Sequence, residues 1–328
     1  MRDRPTGVSD RELSAALAGG WQLHVADTRY APVGAGGYHW VVRDNQERRW
    51  FATVDDLDVK RWLGDDRAQV FDGLRAAMDI AFALHSSHGL RFVLAPVMAR
   101  SGRTVLRLNC KYAVALFPFV DGASAPFGQE LSGSDKDRLV DMLAALHSCA
   151  PAALAVHRAR IALPRRDDLE AALSELGGPW TAGPFSDQAR ALLAASVTQI
   201  RRLLVAFDAL ADHVRTLDPV VTHGEPHPAN LMRVGSETML IDWDTVGAAP
   251  PERDLWWIVK DSTDVAARRY AEATGRSVDR DALAFYRLRW ALDDMSSYAH
   301  ELRVPHRRTA DTERAWRALK ITVEGLPR

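Results

Sequence analysis

The segment Val220 to Met232, which reads VVTHGEPHPANLM, constrains this chain more than any other stretch. It begins with three β-branched residues and then combines two prolines, two histidines and a glycine. Proline fixes φ and removes a backbone donor, so such a run cannot form an ordinary amphipathic helix. The segment is therefore predicted to be a short strand followed by a stiff loop.

The spacing of acidic and amide residues in and after this loop points to phosphoryl transfer. Glu225 is followed five positions later by Asn230, and Asp242 stands in IDWD at the end of an apolar strand. Phosphoryl transfer needs a carboxylate near the acceptor hydroxyl, and a side-chain oxygen with a second carboxylate to hold Mg²⁺ across the phosphates. Kinase catalytic loops place their acidic residue and asparagine at this separation. Asp244 shares a strand face with Asp242 and is a further candidate metal ligand.

The composition limits the class of protein and of partner. The 328 residues carry 42 Lys and Arg against 43 Asp and Glu, which excludes the strong positive charge expected of a nucleic-acid-binding protein. Two cysteines, Cys110 and Cys149, are too few for a disulfide framework or a four-thiolate zinc site. The longest mostly apolar stretch, Leu143 to Val156, is too short and too interrupted to span a bilayer. We expect a cytoplasmic protein with a small-molecule partner and neither nucleic acid nor membrane as partner.

The chain is predicted to divide near Phe119, into residues 1–119 and 120–328. Before that point, aromatic and β-branched segments such as WQLHVAD, FVLAPV and KYAVALFPF predict an antiparallel sheet, with one helix over Ala68 to Leu84. Beyond it the chain is mostly helical, with predicted helices from about Ser134 and over Asp187 to Val214, Glu252 to Lys260, Asp281 to Leu302 and Thr312 to Thr322. This pattern predicts an α+β, two-lobed, kinase-like layout.

The phrases HGEPHPAN, IDWD and PERDLWW resemble the aminoglycoside phosphotransferase and choline kinase family, whose usual wording is H-G-D-x-x-x-x-N, then I-D-W or I-D-F, then D-L. The segments PERDLWWIV, FYRLRWALDDMSSY and ALFPFVDG narrow the resemblance towards its spectinomycin-modifying members. The resemblance spans about Gly34 to Tyr298. It implies a protein-kinase-like fold, ATP and Mg²⁺ as cofactors, and transfer of the γ-phosphate to a hydroxyl of a small aminated acceptor.

The resemblance also implies roles for single residues. Glu225 would accept the proton of the acceptor hydroxyl, while Asn230 and Asp242 would hold the metal. His223 would support the loop, and Asp254 would be structural. The residues expected to meet the nucleotide are Gly34, Gly36, Gly37, Lys111, Leu116, Phe117 and Phe119.

Glu225 is the first of three departures from the family pattern. Its side chain is one methylene longer than the usual aspartate, so the charge is kept and the reach changes. Pro226 and Pro228 stiffen the turn and are expected to reposition the backbone to absorb the extra length.

The other two departures affect the phosphate-binding region. Thr53 stands where the family has a lysine that holds the phosphates, and a hydroxyl cannot replace that charge. The nearby cationic alternatives are Lys111, and Lys60 with Arg61. In the glycine turn VGAGGYH, His39 occupies the slot of the third glycine. Glycines there let backbone amides approach phosphates, although they also simply make turns.

A late helix carries four candidate acceptor-binding side chains, Asp293, Asp294, Tyr298 and Glu301. The last three follow i, i+4, i+7 spacing and share one helix face. A carboxylate and ring surface of this kind suits an aminated sugar or cyclitol. A solvated acidic face balanced by nearby arginines is the plain alternative.

Other functions stay open on sequence alone. A zinc site at His223, Glu225 and His227 is disfavoured, because these residues lack the helical spacing of zinc metalloproteases. A kinase-like protein that binds nucleotide without turnover is favoured by Thr53. A kinase for choline, a macrolide or another metabolite would show the same motifs.

Overall fold

The structure is a computed structural model that describes residues 1–326 of the chain. It forms two compact units. The first consists of Met1–Ala159 with Asp218–Val278, and the second of Arg160–Leu217 with the chain from Asp279 onwards. The boundaries of these units differ from the domain boundary predicted at Phe119, and the division into two lobes at that residue stays a prediction.

The strands all lie in the first unit as far as the chain is described: β1 (Val25–Ala31), β2 (Tyr38–Asp44), β3 (Arg49–Asp56), β4 (Val105–Arg107), β5 (Tyr112–Pro118), β6 (Ala123–Ser124), β7 (Val220–Thr222), β8 (Leu231–Val234), β9 (Glu237–Leu240) and β10 (Gly247–Ala249). In chain order the helices are α1 (Asp10–Trp21), α2 (Arg67–Ser86), α3 (Gly133–His147), α4 (Arg166–Ser174), α5 (Ser186–Val214), α6 (Glu252–Leu255), α7 (Val265–Thr274), α8 (Arg280–Arg303) and α9 (Ala310–Glu324). Of these, α4, α5, α8 and α9 belong to the second unit.

The N-terminal sheet is antiparallel, with the strand order β1-β2-β3-β5-β4. Side chains alternate between the two faces of a strand, so β3 presents two different surfaces. Ala52 and Val54 pack on one face against Leu13 and Leu17 of α1, all four fully buried. Fully burying a leucine contributes about 1.5–3 kcal/mol, so α1 covers this face at a substantial gain in stability.

The other face of β3 carries Thr53 and Asp55. These residues lie opposite Ala115 and Ala113 of β5, and the two alanines pack in the cluster that contains Leu74 of α2. Because directly opposed residues project to the same side of a sheet, Thr53 and Asp55 lie on the α2 face. This face takes part in the candidate site.

Two smaller sheets position the Val220–Met232 segment. β7 pairs with β10, while β6, β8 and β9 form a three-stranded sheet with β8 in the middle. Gly122, just before β6, allows a close approach, because a Cβ there would lie 2.6 Å from Met232 Cγ and 2.8 Å from Arg233 O. The predicted strand and loop are therefore observed as β7 and the turn leading into β8.

The main differences from the predicted elements lie where the apolar pattern is short. The predicted strand WQLHVAD is instead the end of α1 and the start of β1, and α1 begins with a capping box between Ser9 and Glu12. Its buried side chains are only Leu13 and Leu17, too few to show helical periodicity. The segment FVLAPV is not a strand, and only an isolated bridge joins Val93 to Leu240.

The C-terminal predictions differ in detail. The cap of α3 is Ser132, whose side chain accepts from Asp135 N, and not Ser134. The helix predicted over Glu252 to Lys260 ends at Leu255. Helices α4 and α7 were not predicted, whereas α2, α5, α8 and α9 lie within two residues of their predicted bounds.

The second unit is held by helix packing around α8. Phe207 of α5 stacks on Phe285 of α8 with ring centroids 5.0 Å apart, and the Ser186 hydroxyl donates to Leu302 O at 2.7 Å. Among the described residues, no helix has the length and apolar character needed to cross a membrane.

Replacing Leu74 by alanine should lower the free energy of unfolding by about 2–5 kcal/mol, because it removes a fully buried side chain between α2 and the sheet. Val265→Ala in the same unit is the control, since that side chain is 65% exposed, and it should change stability by less than about 0.5 kcal/mol. Urea unfolding followed by circular dichroism measures both. Equal effects of the two substitutions would contradict the packing described for α2.

Candidate active site

The loop after β7 is shaped by Gly224. Its φ of +102° is unfavourable for any residue with a Cβ, and a Cβ there would collide with the Arg253 guanidinium. Arg253 in turn donates to the Thr222 hydroxyl and to Thr245 O, both at 2.7 Å. Because Gly224 has no side chain, Arg253 can approach closely and link Thr222, at the start of the loop, to Thr245, in the turn after β9.

His223 is fully buried and bonds to backbone groups. Its Nε2 lies 2.9 Å from Ile241 O, and Glu225 N donates to its Nδ1 at 3.1 Å. Burial lowers the pKa of His223 to about 4, so the ring is neutral near pH 7. Donation through Nε2 and acceptance through Nδ1 then define one tautomer, which holds the loop against the β9 turn.

Asp254 of α6 holds the same loop through hydrogen bonds to its backbone. Its carboxylate accepts from His223 N at 2.8 Å and from Gly224 N at 2.6 Å, and lies 3.1 Å from His147 Nε2. Burial alone would raise the pKa of Asp254, but the hydrogen bond and charge of His147, together with Arg253, hold it below its ordinary value. The contacts are those of the structural role expected for Asp254.

Asn230 and Glu225 stand at the two ends of the short loop. Asn230 Nδ2 donates to Glu225 O at 2.9 Å, which leaves Oδ1 as the group able to meet a metal ion. Ile241 N donates to Asn230 O at 3.0 Å, so β8 and the end of the hairpin are held side by side. The Glu225 side chain is 32% exposed and thus accessible to a substrate.

Asp242 follows β9 in a left-handed backbone conformation, with φ 67° and ψ 66°. The residue is accessible to solvent, yet surrounding protein removes enough water to raise its pKa, and repulsion from Asp244 adds to that shift. Asp244, two residues on, is 6% exposed. Asp244 lies in a 3₁₀ turn, Trp243–Thr245, and not on a strand, so the shared strand face predicted for Asp242 and Asp244 is not observed, although their charges still interact.

Lys60 is the cation that joins this group. It lies in the turn after β3, is 3% exposed, and its Nζ lies 3.0 Å from Asp55 Oδ1 and donates to Asp244 Oδ2. Burial alone would lower the pKa of Lys60, but attraction from Asp244, Asp55 and Asp242 outweighs it and raises the pKa. Burial also raises the pKa of Asp55 against the attraction of Lys60, and we take their close contact as an ion pair.

Lys111 occupies a different position from Lys60. Its Nζ lies 3.1 Å from Asp56 Oδ2 and 3.8 Å from Asp58 Oδ2, and its side chain is 39% exposed. Asp56 follows Asp55 on an extended strand, so the two carboxylates point to opposite faces. The structure therefore places Lys111 apart from the group around Asp242, and the predicted contact of Lys111 with the nucleotide stays a prediction.

The glycine turn between β1 and β2 lies over the Thr53 side of the sheet. Gly34 and Gly36 have φ of 67° and 88°, which favour glycine. A Cβ on Gly37 would lie 3.3 Å from Asp55 Oδ1 and 3.4 Å from Thr53 Cγ2. The turn thus lies close to the face of β3 that carries Asp55, the residue that contacts Lys60.

His39, in the predicted slot of a third glycine, lies beneath this turn. Its Nδ1 is 3.2 Å from the Thr53 hydroxyl, and its ring stacks on Phe51. Burial lowers the pKa of His39 to about 3, with the charges of the α-amino group and Lys60 acting in the same sense. His39 is therefore a neutral side chain and supplies no charge for phosphates.

The predicted nucleotide contacts at the end of β5 are partly engaged within the protein. Leu116 O accepts from Val97 N at 2.6 Å, and Phe119 N donates to Arg49 O at 3.4 Å. The Leu116 side chain is buried in the α1 face of the sheet, whereas Phe117 packs on the α2 face. These two backbone groups thus already have one partner each within the protein, and the predicted contact of this segment with the nucleotide base stays a prediction.

Aromatic rings enclose His227 beside the loop. Phe127 and Trp257 meet its ring edge-on, with centroids 5.0 and 5.1 Å away, and the ring of Trp256 lies tilted against Trp257 with centroids 4.0 Å apart. Burial and the neighbouring His223 lower the pKa of His227 to about 4. Within residues 1–326, no group of three or more His, Cys, Asp or Glu side chains is arranged as a metal site.

The four predicted acceptor residues lie on α8, in the second unit. All are half-buried, and burial raises the pKa of Asp294, helped by Asp293, and that of Glu301, each to about 7. Burial also raises the pKa of Tyr298, and that of Asp293 against the attraction of Arg289. A solvated acidic face would leave these values near normal, so the side chains are better described as a semi-enclosed acidic surface.

Comparison with known proteins decides the family. The "Phosphotransferase enzyme family" matches residues 29–289 of the chain. The chain belongs to this phosphotransferase family. Protein StrN of Streptomyces griseus is 31% identical to this phosphotransferase over 249 residues, which are 72% of this chain and 73% of StrN.

Solved structures agree with the assignment of the phosphotransferase fold. Spectinomycin phosphotransferase APH(9)-Ia, in complex with ADP and spectinomycin, aligns with a TM-score of 0.74 at 17% identity over 97% of this chain and 98% of that one. An amicoumacin kinase in complex with AMP-PNP, Ca²⁺ and Ami aligns with a TM-score of 0.55 at 13% identity over 98% and 95%. The predicted α+β, protein-kinase-like class is confirmed.

The phosphotransferase has residues suited to a divalent cation. Mg²⁺ prefers oxygen ligands and usually binds through one or two carboxylates together with substrate phosphates. Asp242 is accessible, Asp244 lies beside it, and Asn230 can present an amide oxygen. These two carboxylates and the amide oxygen are of the ligand type that Mg²⁺ prefers, and substrate phosphates would supply the remaining ligands.

Two residues of the phosphotransferase site were not predicted, Asp55 and His147. Asp55 could have been recognised from the sequence as a candidate site residue. It lies two positions after Thr53 on a strand, and aspartate is depleted in strands. His147 is the last residue of α3 and contacts Asp254, over a hundred positions away. Nothing in the apolar helix around it identifies that partner.

Asp254→Ala should destabilise the phosphotransferase by about 3–5 kcal/mol, because it leaves two buried amides and His147 without their acceptor. Asp254→Asn should cost less, since one oxygen acceptor remains. The exposed pair of Asp141 with Arg269 provides the control, and Asp141→Asn should cost less than about 1 kcal/mol. Thermal and urea unfolding measure the difference, and an Asp254→Ala protein as stable as the control variant would refute the role assigned to Asp254.

Proposed function

We propose that this protein transfers the γ-phosphate of ATP to a hydroxyl group of a small aminated natural product, with an aminoglycoside-type compound such as spectinomycin as the first candidate. The observation that carries the proposal is the convergence of Glu225, Asn230 and Asp242 on one loop and hairpin end, beside Lys60. These are the groups that phosphoryl transfer needs: a carboxylate at the acceptor, metal ligands and a cation.

Glu225 is proposed as the residue that orients the acceptor hydroxyl and takes its proton. Its backbone is fixed by the bond from Glu225 N to His223 Nδ1, and its side chain is partly exposed. In a largely dissociative transition state the base mainly positions the nucleophile, so a longer side chain held by a stiff loop is compatible with activity. When bound, Mg²⁺ would neutralise charge on the β- and γ-phosphates, with Asn230, Asp242 and Asp244 as its protein ligands.

The acceptor class is supported by the acidic surface on α8. Half-buried carboxylates at Asp294 and Glu301, with the ring of Tyr298 between them on the same helix face, suit a compound that carries ammonium groups and a saturated ring. The relative solved with ADP contains spectinomycin, an observation made on that protein. It makes spectinomycin the first compound to test here.

The test is incubation of the purified protein with Mg-ATP and a panel of aminated antibiotics, with mass spectrometry to detect a phosphate adduct. A phosphorylated acceptor supports the proposal. Nucleotide binding without transfer to any acceptor would instead favour a binding-only protein, the alternative that the uncharged Thr53 raises. Transfer only to choline or another metabolite would keep the enzyme and change its substrate.

Glu225→Gln should lower kcat by about 10²–10⁴-fold with little change in nucleotide affinity, since it removes the base and keeps the shape. Asp242→Ala should lower activity at least as much and raise the Mg²⁺ requirement. Glu237→Gln, an exposed position on β9, is the matched control and should retain wild-type turnover. Steady-state kinetics with a coupled ADP assay measures all three, and unchanged turnover of Glu225→Gln and Asp242→Ala would exclude the mechanism.

Acceptor binding should strengthen with pH. The pKa of Asp294 and of Glu301 is raised to about 7, so both are mostly protonated at pH 6 and mostly ionised at pH 8. A cationic acceptor should therefore bind about tenfold more tightly at pH 8 than at pH 6, for each carboxylate that it contacts. Calorimetry at constant ionic strength measures the acceptor affinity at each pH.

Asp294→Asn should flatten that pH dependence, whereas Asp212→Asn, a control on an 82% exposed carboxylate of α5, should leave it intact. A flat profile in the wild-type protein, or an unchanged slope in Asp294→Asn, would remove α8 from the proposed acceptor site.

A further inference from the structure

Lys60 is an unusual residue because it is almost fully buried, with 3% exposure, in the turn after β3. A lysine is rarely buried without a partner, and here Asp55 and Asp244 both contact its ammonium. An ammonium has three N–H donors. Two are directed to these carboxylates, and the third has no hydrogen-bond partner among residues 1–326.

The charges around Lys60 exceed what a structural ion pair requires. Three carboxylates, those of Asp55, Asp244 and Asp242, interact with the ammonium of Lys60, and the α-amino group of Met1 also acts on Asp242. Bringing charges out of water costs several kcal/mol per ion, and here Asp55 and Asp244 are buried while Asp242 is accessible to solvent. A metal ion bound at Asp242 and Asp244 would offset part of their negative charge, and it would leave the ammonium able to bind another anion.

Lys60 lies between the glycine turn and the turn that carries Asp242 and Asp244. Its anchor Asp55 lies on the same face of β3 as Thr53, beneath the glycine turn, where a Cβ on Gly37 would lie 3.3 Å from Asp55 Oδ1. The opposite side of the ammonium faces the turn that carries Asp242 and Asp244. A phosphate chain that runs from the glycine turn to the metal ligands passes this ammonium.

We propose that Lys60 is the cation that binds the phosphate chain of the nucleotide in this protein, and that Asp55 is the positioning residue that holds it. The inference rests on the proposed ATP-dependent function. In this proposal Lys60, in the turn after β3, provides the positive charge that Thr53 on β3 cannot provide. Lys111, the alternative, is paired with Asp56 and Asp58 on the other side of β3.

The test compares the affinities of adenosine, ADP and AMP-PNP, with Mg²⁺ present, for the wild-type full chain and for Lys60→Met by calorimetry. A charge-assisted hydrogen bond to phosphate is worth a factor of about 10–100 in affinity. Lys60→Met should weaken ADP and AMP-PNP by that factor and change adenosine affinity less than about twofold. A merely structural role would affect all three ligands alike.

Two further variants separate folding from binding. Lys60→Met leaves Asp55 without its counter-charge, so the double variant Asp55→Asn with Lys60→Met is expected to be better folded and to show the same phosphate-selective loss. Arg61→Gln removes the neighbouring exposed cation, whose guanidinium donates to Asp65 O, and should behave like wild type. Melting temperatures are recorded for every variant.

The outcomes distinguish this inference from the proposed function. Equal ADP affinity in wild type and in the folded Lys60→Met or double variant overturns the assignment while ATP-dependent transfer stands. Phosphate-selective loss in Lys111→Met instead of Lys60→Met overturns it in favour of the other lysine. A wild-type protein that binds adenosine, ADP and AMP-PNP equally, or none of them, overturns the inference and the proposed function together.

Discussion

The buried ammonium of Lys60 is the interaction on which the candidate site depends. It contacts Asp55, which belongs to β3, and Asp244, which follows β9, so it joins the N-terminal sheet to the turn that carries Asp242. Removing one partner of a buried ion pair costs about 3–5 kcal/mol, because an uncompensated charge remains. The same group therefore organises the turn and, in the proposed function, binds the phosphate chain.

The parts of the site that sequence predicted are those whose chemistry is local. The β-branched run before His223 and the two prolines after Glu225 predicted β7 and its loop, and the strand before Asp242 is β9. The spacing from Glu225 to Asn230 is preserved because both lie in one short loop. The longer helices were found because their apolar periodicity extends over many turns.

The remaining features depend on contacts between distant parts of the chain. Lys60 meets Asp244 across 184 positions, and His147 meets Asp254 across 107. The choice of Lys60 over Lys111 follows from which face of β3 each adjacent aspartate occupies, a consequence of sheet register. The engagement of Leu116 O by Val97 N likewise arises from packing of a non-strand segment, for which a single sequence gives no periodic signal.

A crystal structure of the protein with Mg²⁺ and a non-hydrolysable ATP analogue tests the account most directly. A phosphate oxygen is expected within about 3.2 Å of Lys60 Nζ, and a metal ion is expected about 2.1 Å from oxygens of Asp242 and Asn230. A triphosphate bound away from Lys60, or a metal ion that contacts neither Asp242 nor Asn230, would contradict it.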